Sequence, residues 1–490
     1  MTVGSSRTAT GSGQPAQRWS SEVTADHRRI LYATFGGWTF DGYETYALVV
    51  AIVPALMQFG VAADGIAFHA GLAIGLTLLG WGIGGLVGGV LADYVGRKRI
   101  MLYSILGYAV FSGLTALSTS FEMLVALRFL TGIAMGSEWA TGATLIQETW
   151  PERARTKGAG FMQAGFGVGT LLASLVWLFV GSHGPGAWRI MFVIGILPAF
   201  IILYIRNRIS ESERWQQAVA ERRWSATGEA ASSSGVVQTD RRPFTVSELM
   251  REPEARRRVL LTLLLSLGTI VGWYAISTFL PQYAGPLAAR SGETNPKHWA
   301  TLASIFYNVG AVVGYLISGF VADAVGRRKF IGIIFVGSLV MTPVTYYWAG
   351  GIRSFMLVAA VNGLFTLGGF AWFAIYVPEL FATTVRSTAT SLIFNFTRLI
   401  AWVGPIITGS LIATFGGVSR AALIMGCVYF LGLAVLALPE TKGRPLPALW
   451  PASDRFATQR RGGTTTSRSP TRENPTNRQM LFEGALMTLV

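Results

Sequence analysis

The chain has 490 residues, of which 51% are apolar and only 13% are charged. A soluble domain carries about 25% charged residues, so the composition excludes an ordinary water-soluble protein. The formal net charge is +15, and the single cysteine excludes an intrachain disulfide and a zinc site made of cysteines.

Apolar runs of about 18 residues or more recur along the whole chain, and each can cross a hydrocarbon core about 30 Å thick. They predict twelve membrane spans, which cover residues 31–57, 69–92, 100–118, 121–147, 158–181, 188–205, 259–284, 299–322, 330–349, 354–377, 385–414 and 419–438. Most connections are short, so consecutive spans are expected to be antiparallel neighbours. The polar start of the chain lacks the features of a signal peptide, and we expect it to be retained.

Lysine and arginine are distributed unevenly between the connections. The two tails and the even-numbered connections hold 33 of the 40, whereas the odd-numbered connections hold five. By the positive-inside rule, both tails and the even-numbered connections are predicted to be cytoplasmic. Membrane orientation therefore explains the basic charge better than nucleic-acid binding does. We expect a multi-pass protein of the cell membrane.

The longest connection divides six spans from six. It is polar and irregular, and the tail after the twelfth span is rich in Arg, Thr, Ser and Pro, a composition typical of disorder. We predict, in chain order, a cytoplasmic tail, a six-helix bundle, a cytoplasmic loop, a second six-helix bundle and a disordered cytoplasmic tail, at residues 1–30, 31–205, 206–258, 259–438 and 439–490.

Ionisable residues inside spans are costly and are therefore functional candidates. The first span contains Asp41 and Glu44 in FDGYETYAL, three residues apart and on one helix face. Two carboxylates on one face cannot both ionise at low cost, so we expect one of them to hold a proton. The fourth span contains Arg128 and, ten residues later, Glu138. Ten residues correspond to a rotation of about 80°, so we expect Glu138 to face elsewhere, as a secondary candidate for substrate binding.

A charged turn occurs twice, as GGVLADYVGRKR after the second span and SGFVADAVGRRK after the eighth. A second pair, ETWPERAR and ELFATTVR, follows the fourth and tenth spans. Such a parallel repeat is typical of transporters that rock around a central site. Carboxylates and arginines at helix ends can bridge the ends of neighbouring helices, although basic residues also act as simple topology anchors. We predict a cytoplasmic gate formed by Asp93, Arg97, Lys98, Glu148, Arg155, Asp323, Arg327, Arg328, Glu379 and Arg386.

Candidates for substrate binding lie in the fifth, seventh and eleventh spans. Arg398 in NFTRLIAW interrupts an apolar span, and Asn395 lies one turn before it. A guanidinium binds a carboxylate through two parallel hydrogen bonds, so this position suits a carboxylate ligand. Gln163, Trp273 and Tyr274 are further candidates, with packing as the alternative for the two aromatic residues.

The first charged turn resembles the signature loop of the major facilitator superfamily, and the second turn resembles its copy in the other half. RFLTGIAMG, the Glu148 and Arg155 spacing, and PETKG resemble the sugar-porter and metabolite:proton symporter branches, especially sialate and organic-acid symporters. SESERW resembles the PESPRW of those branches, with Ser210 in place of proline. The resemblance covers about residues 30–445. It implies an all-α membrane protein with the major facilitator fold, twelve helices in two bundles of six.

The resemblance also implies roles for two residues. In proton-coupled sugar porters an acid in the GYD motif of the first helix pairs with an arginine of the fourth helix. The GYE of this chain maps the acid onto Glu44 and its partner onto Arg128, with Asp41 as a second candidate for the proton. A structural ion pair between two helices is the alternative.

Proton-coupled uptake of a small organic anion is the leading function, with small molecules, protons and the bilayer as partners and no nucleic acid. Proton-coupled sugar uptake and proton-driven export of drugs or metabolites are alternatives, and a nutrient sensor is a third class. The fifth span lacks the proline of the GPxxGG motif usual in antiporters, and no nucleotide-binding loop supports ATP-driven pumping. We expect a monomer without enzyme activity, cofactor or metal.

Overall fold

The computed structural model describes residues 19–62, 66–181, 183–198, 200, 211–220, 245–294, 296–348, 350–402 and 418–447. Regular structure in these ranges is helical, with no β-strand. Most of the predicted central loop and C-terminal tail, the first 18 residues and the side chain of Tyr274 lie outside the described residues.

The helices of the first half, as far as it is described, are α1 (Ala25–Gln58), α2 (Ile66–Val95), α3 (Arg97–Thr115), α4 (Phe121–Gly136), α5 (Glu138–Thr149), α6 (Arg155–Val180) and α7 (Ala187–Ile194). Between the halves lie α8 (Glu213–Ala220) and α9 (Thr245–Arg251). The second half contributes α10 (Pro253–Arg290), α11 (Pro296–Val325), α12 (Arg327–Pro343), α13 (Ile352–Thr366), α14 (Ala371–Leu380), α15 (Arg386–Asn395), α16 (Arg398–Ala401) and α17 (Val418–Gly426). Segments of 3-10 helix cover Trp19–Glu22, Gly368–Phe370 and Cys427–Ala437, and a π turn covers Val344–Trp348.

These helices agree with the twelve predicted spans. In the described part of the chain, seven helices are long and apolar enough to cross a membrane. The predicted fourth span is interrupted between α4 and α5, and the tenth is interrupted at the equivalent place between α13 and α14. The sixth and eleventh spans extend into ranges that the structure does not describe.

Local side-chain contacts explain where helices begin. The Thr24 hydroxyl accepts the N–H of His27 at 3.4 Å, while the N–H of Thr24 donates to His27 Nδ1 at 3.0 Å. This reciprocal cap satisfies backbone groups that the first turn of α1 leaves open. Ser120 caps α4 with a single hydrogen bond, by accepting the N–H of Met123 at 3.2 Å.

The most extensive contacts between the two halves are made by two helix pairs. α2 packs on α15, and α6 packs on α11. The second contact is close, because a Cβ at Gly160 of α6 would lie 2.9 Å from the backbone carbonyl oxygen of Tyr315 on α11. Small residues permit such approach between membrane helices. The candidate site lies between these pairs.

Candidate functional site

Glu44 on α1 and Arg128 on α4 form a buried ion pair. Arg128 Nη1 donates to Glu44 Oε2 at 2.8 Å, and Ser112 Oγ donates to Glu44 Oε1 at 2.6 Å. Arg128 also donates to the hydroxyls of Thr115 and Thr131. Both carboxylate oxygens therefore receive donors, as an ionised carboxylate requires. The structure brings together the two residues that the resemblance paired.

Asp41 and Glu138 form a second buried pair with different chemistry. Both side chains are 0% exposed, and the Glu138 carboxyl lies against Asp41 and Gly37 of α1. In the described part of the chain, no donor group reaches any of the four carboxyl oxygens. The prediction that Glu138 faces elsewhere is wrong. The rotation of about 80° holds only for one continuous helix, but the span is interrupted between α4 and α5, directly before Glu138.

Arg398 lies at the boundary between the halves. Its guanidinium carbon is 4.5 Å from the ring centroid of Trp81 on α2 and 3.8 Å from that of Phe394 on α15. Its Nη1 donates to the Phe394 carbonyl at 2.9 Å and to Asn395 Oδ1 at 3.4 Å. Asn395 in turn donates to Ser391 Oγ at 3.0 Å. A buried cation is thus held against an aromatic ring of each half.

Aromatic rings from both halves surround this position. Trp139 stacks on Phe394 with ring centroids 3.6 Å apart, and Trp38 lies 6.1 Å from both Trp81 and Trp139. The indole N–H groups of Trp38 and Trp81 are buried and reach no acceptor in the described residues. Buried donors without acceptors are uncommon in folded proteins. A ligand with acceptor oxygens would satisfy them.

The remaining substrate candidates lie on either side of the rings. Gln163 accepts the indole N–H of Trp139 at 2.8 Å and faces the Tyr315 hydroxyl of the other half. Trp273 packs against Phe370 in the second half with ring centroids 5.6 Å apart. These contacts place Gln163 beside the central rings and Trp273 farther into the second half.

The first charged turn ties the two halves together. Asp93 contacts Arg97 at 3.0 Å and accepts the backbone N–H and the hydroxyl of Thr388, on α15, at 2.8 and 2.6 Å. Glu148 lies between Arg97, at 3.3 Å, and Arg386 of the second half, at 2.8 Å. All five residues are buried. Opening this end of the bundle would have to break these contacts.

The second charged turn makes the equivalent contacts, this time with residues of the first half. Asp323 binds Arg327 at 3.1 Å and also Lys157 of the first half. Glu379 binds Arg327 at 3.1 Å and Arg155 of the first half at 3.5 Å. Each motif glutamate therefore pairs with the motif arginine of the opposite half, and the sequence repeat did not predict this exchange.

Two glutamates that the sequence reasoning missed cap the helices after these turns. Glu211 accepts the first two backbone N–H groups of α3 at 3.1 Å each, one of them from Lys98. Glu440 accepts the first two of α12 at 2.9 and 3.1 Å, the second from Arg328. Although burial raises the pKa of Glu440, hydrogen bonds from backbone N–H groups, including its own loop, hold it below the ordinary 4.5.

A repeat in the sequence could have revealed these caps. Glu211 and Ser212 follow the sixth span just as Glu440 and Thr441 follow the twelfth, at an offset of 229 residues. Ser212 donates its hydroxyl to the gate carboxylate Glu148, and Thr441 donates to Glu379. The duplicated Glu–hydroxyl pair therefore contacts the residues that are predicted to form the gate.

The two turns themselves depend on glycine. Gly96 has a φ of +111° and Gly326 has a φ of +96°, a region that L side chains rarely adopt. Each glycine stands directly before a capped helix, α3 or α12. The glycine of each motif thus allows the chain to reverse into the helix that the glutamate caps.

The described part of the N-terminal tail lies over the gate. The ring of Trp19 is 6.3 Å from that of Phe161 in the first half and 5.8 Å from that of Phe320 in the second. The ammonium group of Lys157 lies 5.6 Å from the Trp19 ring. Trp19 therefore contacts both halves beside the Lys157–Asp323 pair, which the polar tail gave no reason to expect.

Other places in the described residues offer less chemistry. No group of three or more His, Cys, Asp or Glu in them could hold a metal ion. An open groove of about 640 Å³ lies beside α12 and is lined almost entirely by apolar side chains, with Lys329 at one end. Such a surface suits lipid, so the central residues are the better candidate for a substrate site.

Known proteins resemble this chain along nearly its whole length. The family described as "Sugar (and other) transporter" matches residues 30–450. The cis,cis-muconate transport protein of Acinetobacter baylyi is 28% identical over 401 residues, 81% of this chain and 90% of the relative. The sialic acid transporter NanX of Escherichia coli is 26% identical over 424 residues, 86% of this chain and 96% of the relative.

A solved structure has the same fold. It is that of the major facilitator superfamily proton:xylose symporter XylE bound to 6-bromo-6-deoxy-D-glucose. The TM-score is 0.68 at 19% sequence identity, and the match covers 86% of this chain and 98% of that one. This similarity extends the agreement from local motifs to the arrangement of helices over 86% of the chain.

Proposed function

The chain belongs to the sugar (and other) transporter family of the major facilitator superfamily, and from this premise we propose that it takes up a small organic anion together with protons. It is a multi-pass membrane transporter and not an enzyme. Function within such a fold has to be argued from the site. We propose that it works as a monomer in the cell membrane with both termini in the cytoplasm.

The main support for this proposal is the local environment of Arg398. A buried guanidinium can bind a carboxylate through two parallel hydrogen bonds. The nearby indole N–H groups of Trp38 and Trp81 lack acceptors among the described residues, and carboxylate oxygens are strong acceptors. The rings of Trp81 and Phe394, which lie against the Arg398 guanidinium, form an apolar environment that suits an unsaturated or aromatic body. The site therefore fits an anion with a planar carbon frame.

A neutral sugar fits this surrounding less well. A sugar carries hydroxyl groups along its whole length and needs many polar partners, whereas the residues around Arg398 are mainly aromatic. A relative that aligns with 81% of the chain is named for cis,cis-muconate, an unsaturated dicarboxylate. This relative supports the organic-anion proposal.

Coupling to protons is assigned to a buried acid of α1, with Asp41 and Glu44 as the two candidates. Asp41 and Glu44 are buried in the same bundle as the cation that would hold the substrate. An acid that binds a proton there changes the charge of the site, and a change of charge can alter the affinity for an anion. Arg128 holds Glu44, and the gate residues keep one end of the bundle closed until the site is filled.

A transport assay tests this function directly. Purified protein in proteoliposomes is offered cis,cis-muconate, gallate, sialic acid or xylose, with an imposed pH gradient of either sign. We expect saturable accumulation of at least one of the three acids, driven by a gradient that is acidic on the side of entry. Accumulation of xylose alone would overturn the organic-anion proposal. Accumulation driven only by the opposite gradient would favour exchange of the anion for protons.

A further inference from the structure

We propose that Asp41 and Glu138 form the proton-binding site of the transporter, holding one shared proton when the site is empty and a second when an anion binds Arg398. Glu44 then remains ionised as the partner of Arg128. The assignment of the shared proton needs no substrate, whereas the coupling step rests on the proposed transport function. The two parts can therefore fail separately.

The argument begins with the distribution of hydrogen-bond donors. Glu44 receives donors at both oxygens, from Ser112 at 2.6 Å and Arg128 at 2.8 Å. Asp41 and Glu138 are equally buried but receive none from the described residues. A buried carboxylate without donors is unstable, and two in contact also repel each other. One proton between them turns the same contact into an O–H···O hydrogen bond.

The charges around the pair support one proton in the empty state. The ionisable groups that face it are Glu44, Arg398 and Tyr108. The charge of Glu44 is balanced by Arg128 at 2.8 Å. The Tyr108 hydroxyl is buried and makes no hydrogen bond within the described residues. Arg398 is then the cation that balances the single negative charge of a pair holding one proton.

This arrangement links the proton to the substrate. An anion bound to Arg398 neutralises the cation, so the remaining negative charge of the pair loses its compensation. A proton from water then binds the ionised oxygen, and both carboxyl groups become neutral. By reciprocity, protonation of the pair strengthens anion binding by the same factor. One proton is therefore taken up for each monovalent anion that binds.

Glutamine and asparagine variants can separate the pair from Glu44. Glu138→Gln keeps the side-chain volume that packs against Gly37, and its amide can donate to an ionised Asp41. Asp41→Asn can donate to Glu138 in the same way. Each variant therefore supplies the missing donor without a shared proton. Glu44→Gln is the matched control, because it removes a carboxyl from the same helix face.

Infrared spectroscopy measures the shared proton without any substrate. The carbonyl stretch of a protonated carboxylic acid is recorded near neutral pH for detergent-purified protein. We expect this band in the unmodified protein and in Glu44→Gln, and its loss in Asp41→Asn and in Glu138→Gln. A band that survives in both pair variants, or that disappears in Glu44→Gln, would overturn the assignment. If either pair variant fails to fold, the other variant and the double variant still test whether the band belongs to the pair.

Proton uptake and transport test the coupling. Addition of cis,cis-muconate to lightly buffered purified protein should raise the pH of the medium, and Glu138→Gln should abolish that change. In proteoliposomes, Glu138→Gln should reduce both gradient-driven accumulation and anion exchange. The fold-decrease in accumulation should be at least about ten times the fold-decrease in exchange. Equal losses of both would show that Glu138 does not bind the coupled proton. A protein that transports none of the anions yet shows the infrared band would refute only the proposed function.

Discussion

Arg398 is the side chain on which anion recognition is expected to depend. Arg398→Lys keeps the positive charge but loses the planar fork that holds both oxygens of a carboxylate. We expect the affinity for a carboxylate substrate to fall at least about tenfold, which corresponds to about 1.4 kcal/mol. Binding of cis,cis-muconate to purified protein by titration calorimetry measures this change.

A matched control comes from an exposed arginine. Arg353 is 84% exposed and contacts Glu293 at 3.6 Å, so Arg353→Lys should leave anion binding unchanged. An unchanged affinity in Arg398→Lys would remove Arg398 from the site and with it the observation that favours an anion over a sugar.

Individual residues differ in how far the sequence could identify them. Asp41, Glu44, Arg128 and Arg398 stand out because charges inside apolar spans are rare. The contact between Asp41 and Glu138 was not predictable, since a pattern along one helix does not tell which residue of a second helix it meets. The unsatisfied indole groups also lay beyond sequence reasoning, because tryptophan in a span is more often packing.

The charged turns should control how readily the bundle opens. Asp93 uses one oxygen for Arg97 and the other for Thr388 of the opposite half. Asp93→Asn replaces one of these oxygens by an amide, so one contact is lost. A hydrogen bond to a charged group contributes about 1.5–3 kcal/mol, enough to shift a closed–open equilibrium about tenfold or more. We expect a changed turnover rate with little change in substrate affinity, measured by uptake kinetics and by binding.

The control for this variant is an exposed aspartate. Asp26 is 72% exposed in an ion pair within the N-terminal segment, and Asp26→Asn should leave the turnover rate unchanged. If Asp93→Asn has no more effect than Asp26→Asn, the turn only anchors the orientation of the helices in the membrane.

The Glu440 cap predicts a pH dependence at the end of the second half. Its pKa in the folded protein lies below the ordinary 4.5, because hydrogen bonds from backbone N–H groups favour the ionised form. The stabilisation is therefore complete above about pH 4.5 and is lost as the pH falls through the lowered folded value. Thermal unfolding in detergent should show a smaller loss of stability on acidification in Glu440→Gln than in the unmodified protein.

The measured quantity is the loss of thermal stability per unit of acidification, compared between the variant and the unmodified protein. The contributions of the other carboxylates are the same in both proteins and cancel in the difference. Glu152→Gln provides the comparison, since this side chain is 51% exposed and lies at the outer limit of an ion pair, 4.0 Å from Arg155. An acid slope in Glu440→Gln that equals that of the unmodified protein would mean that the cap does not stabilise the fold.

The sequence predicted the helices and their connections better than it predicted the breaks within individual spans. Apolar runs set the spans because lipid requires about 20 apolar residues for each crossing. The breaks between α4 and α5 and between α13 and α14 leave no comparable signal, because the residues there are apolar or small like their neighbours. One of these breaks lies directly before α5, the helix that carries Glu138. Because the break was not predicted, the direction of the Glu138 side chain was predicted wrongly.

The duplicated halves are joined by exchanged ion pairs among the predicted gate residues. A sequence repeat identifies equivalent positions in the two halves. It does not show whether a motif residue pairs with a partner in its own half or in the opposite half. In the structure Glu148 meets Arg386 and Glu379 meets Arg155, so each half contributes one acid and one base to the boundary. The inter-half ion pairs described above all lie at the end of the bundle with the charged turns. A rocking motion that opened this end would separate both exchanged pairs together.

The side of the membrane on which this end lies is predicted by the distribution of Lys and Arg. Cys427 is the only cysteine, so a Cys427→Ser background allows single cysteines to be placed at will. Ala230→Cys in the central loop and Thr465→Cys in the C-terminal tail should react with a membrane-impermeant thiol reagent only from the cytoplasmic side. Ser291→Cys, in the exposed connection after α10, should react only from outside.

Labelling in intact cells and in inverted vesicles distinguishes the two orientations. We expect complementary results, with Ser291→Cys labelled in cells and the other two labelled only in inverted vesicles. Labelling of Ala230→Cys or Thr465→Cys in intact cells would reverse the orientation, so that the closed gate would face the outside. Ion pairs that close the outer end would no longer support the inward direction proposed for the anion. The Asp41–Glu138 assignment would remain, since a shared proton depends on burial and contact and not on the direction of the membrane.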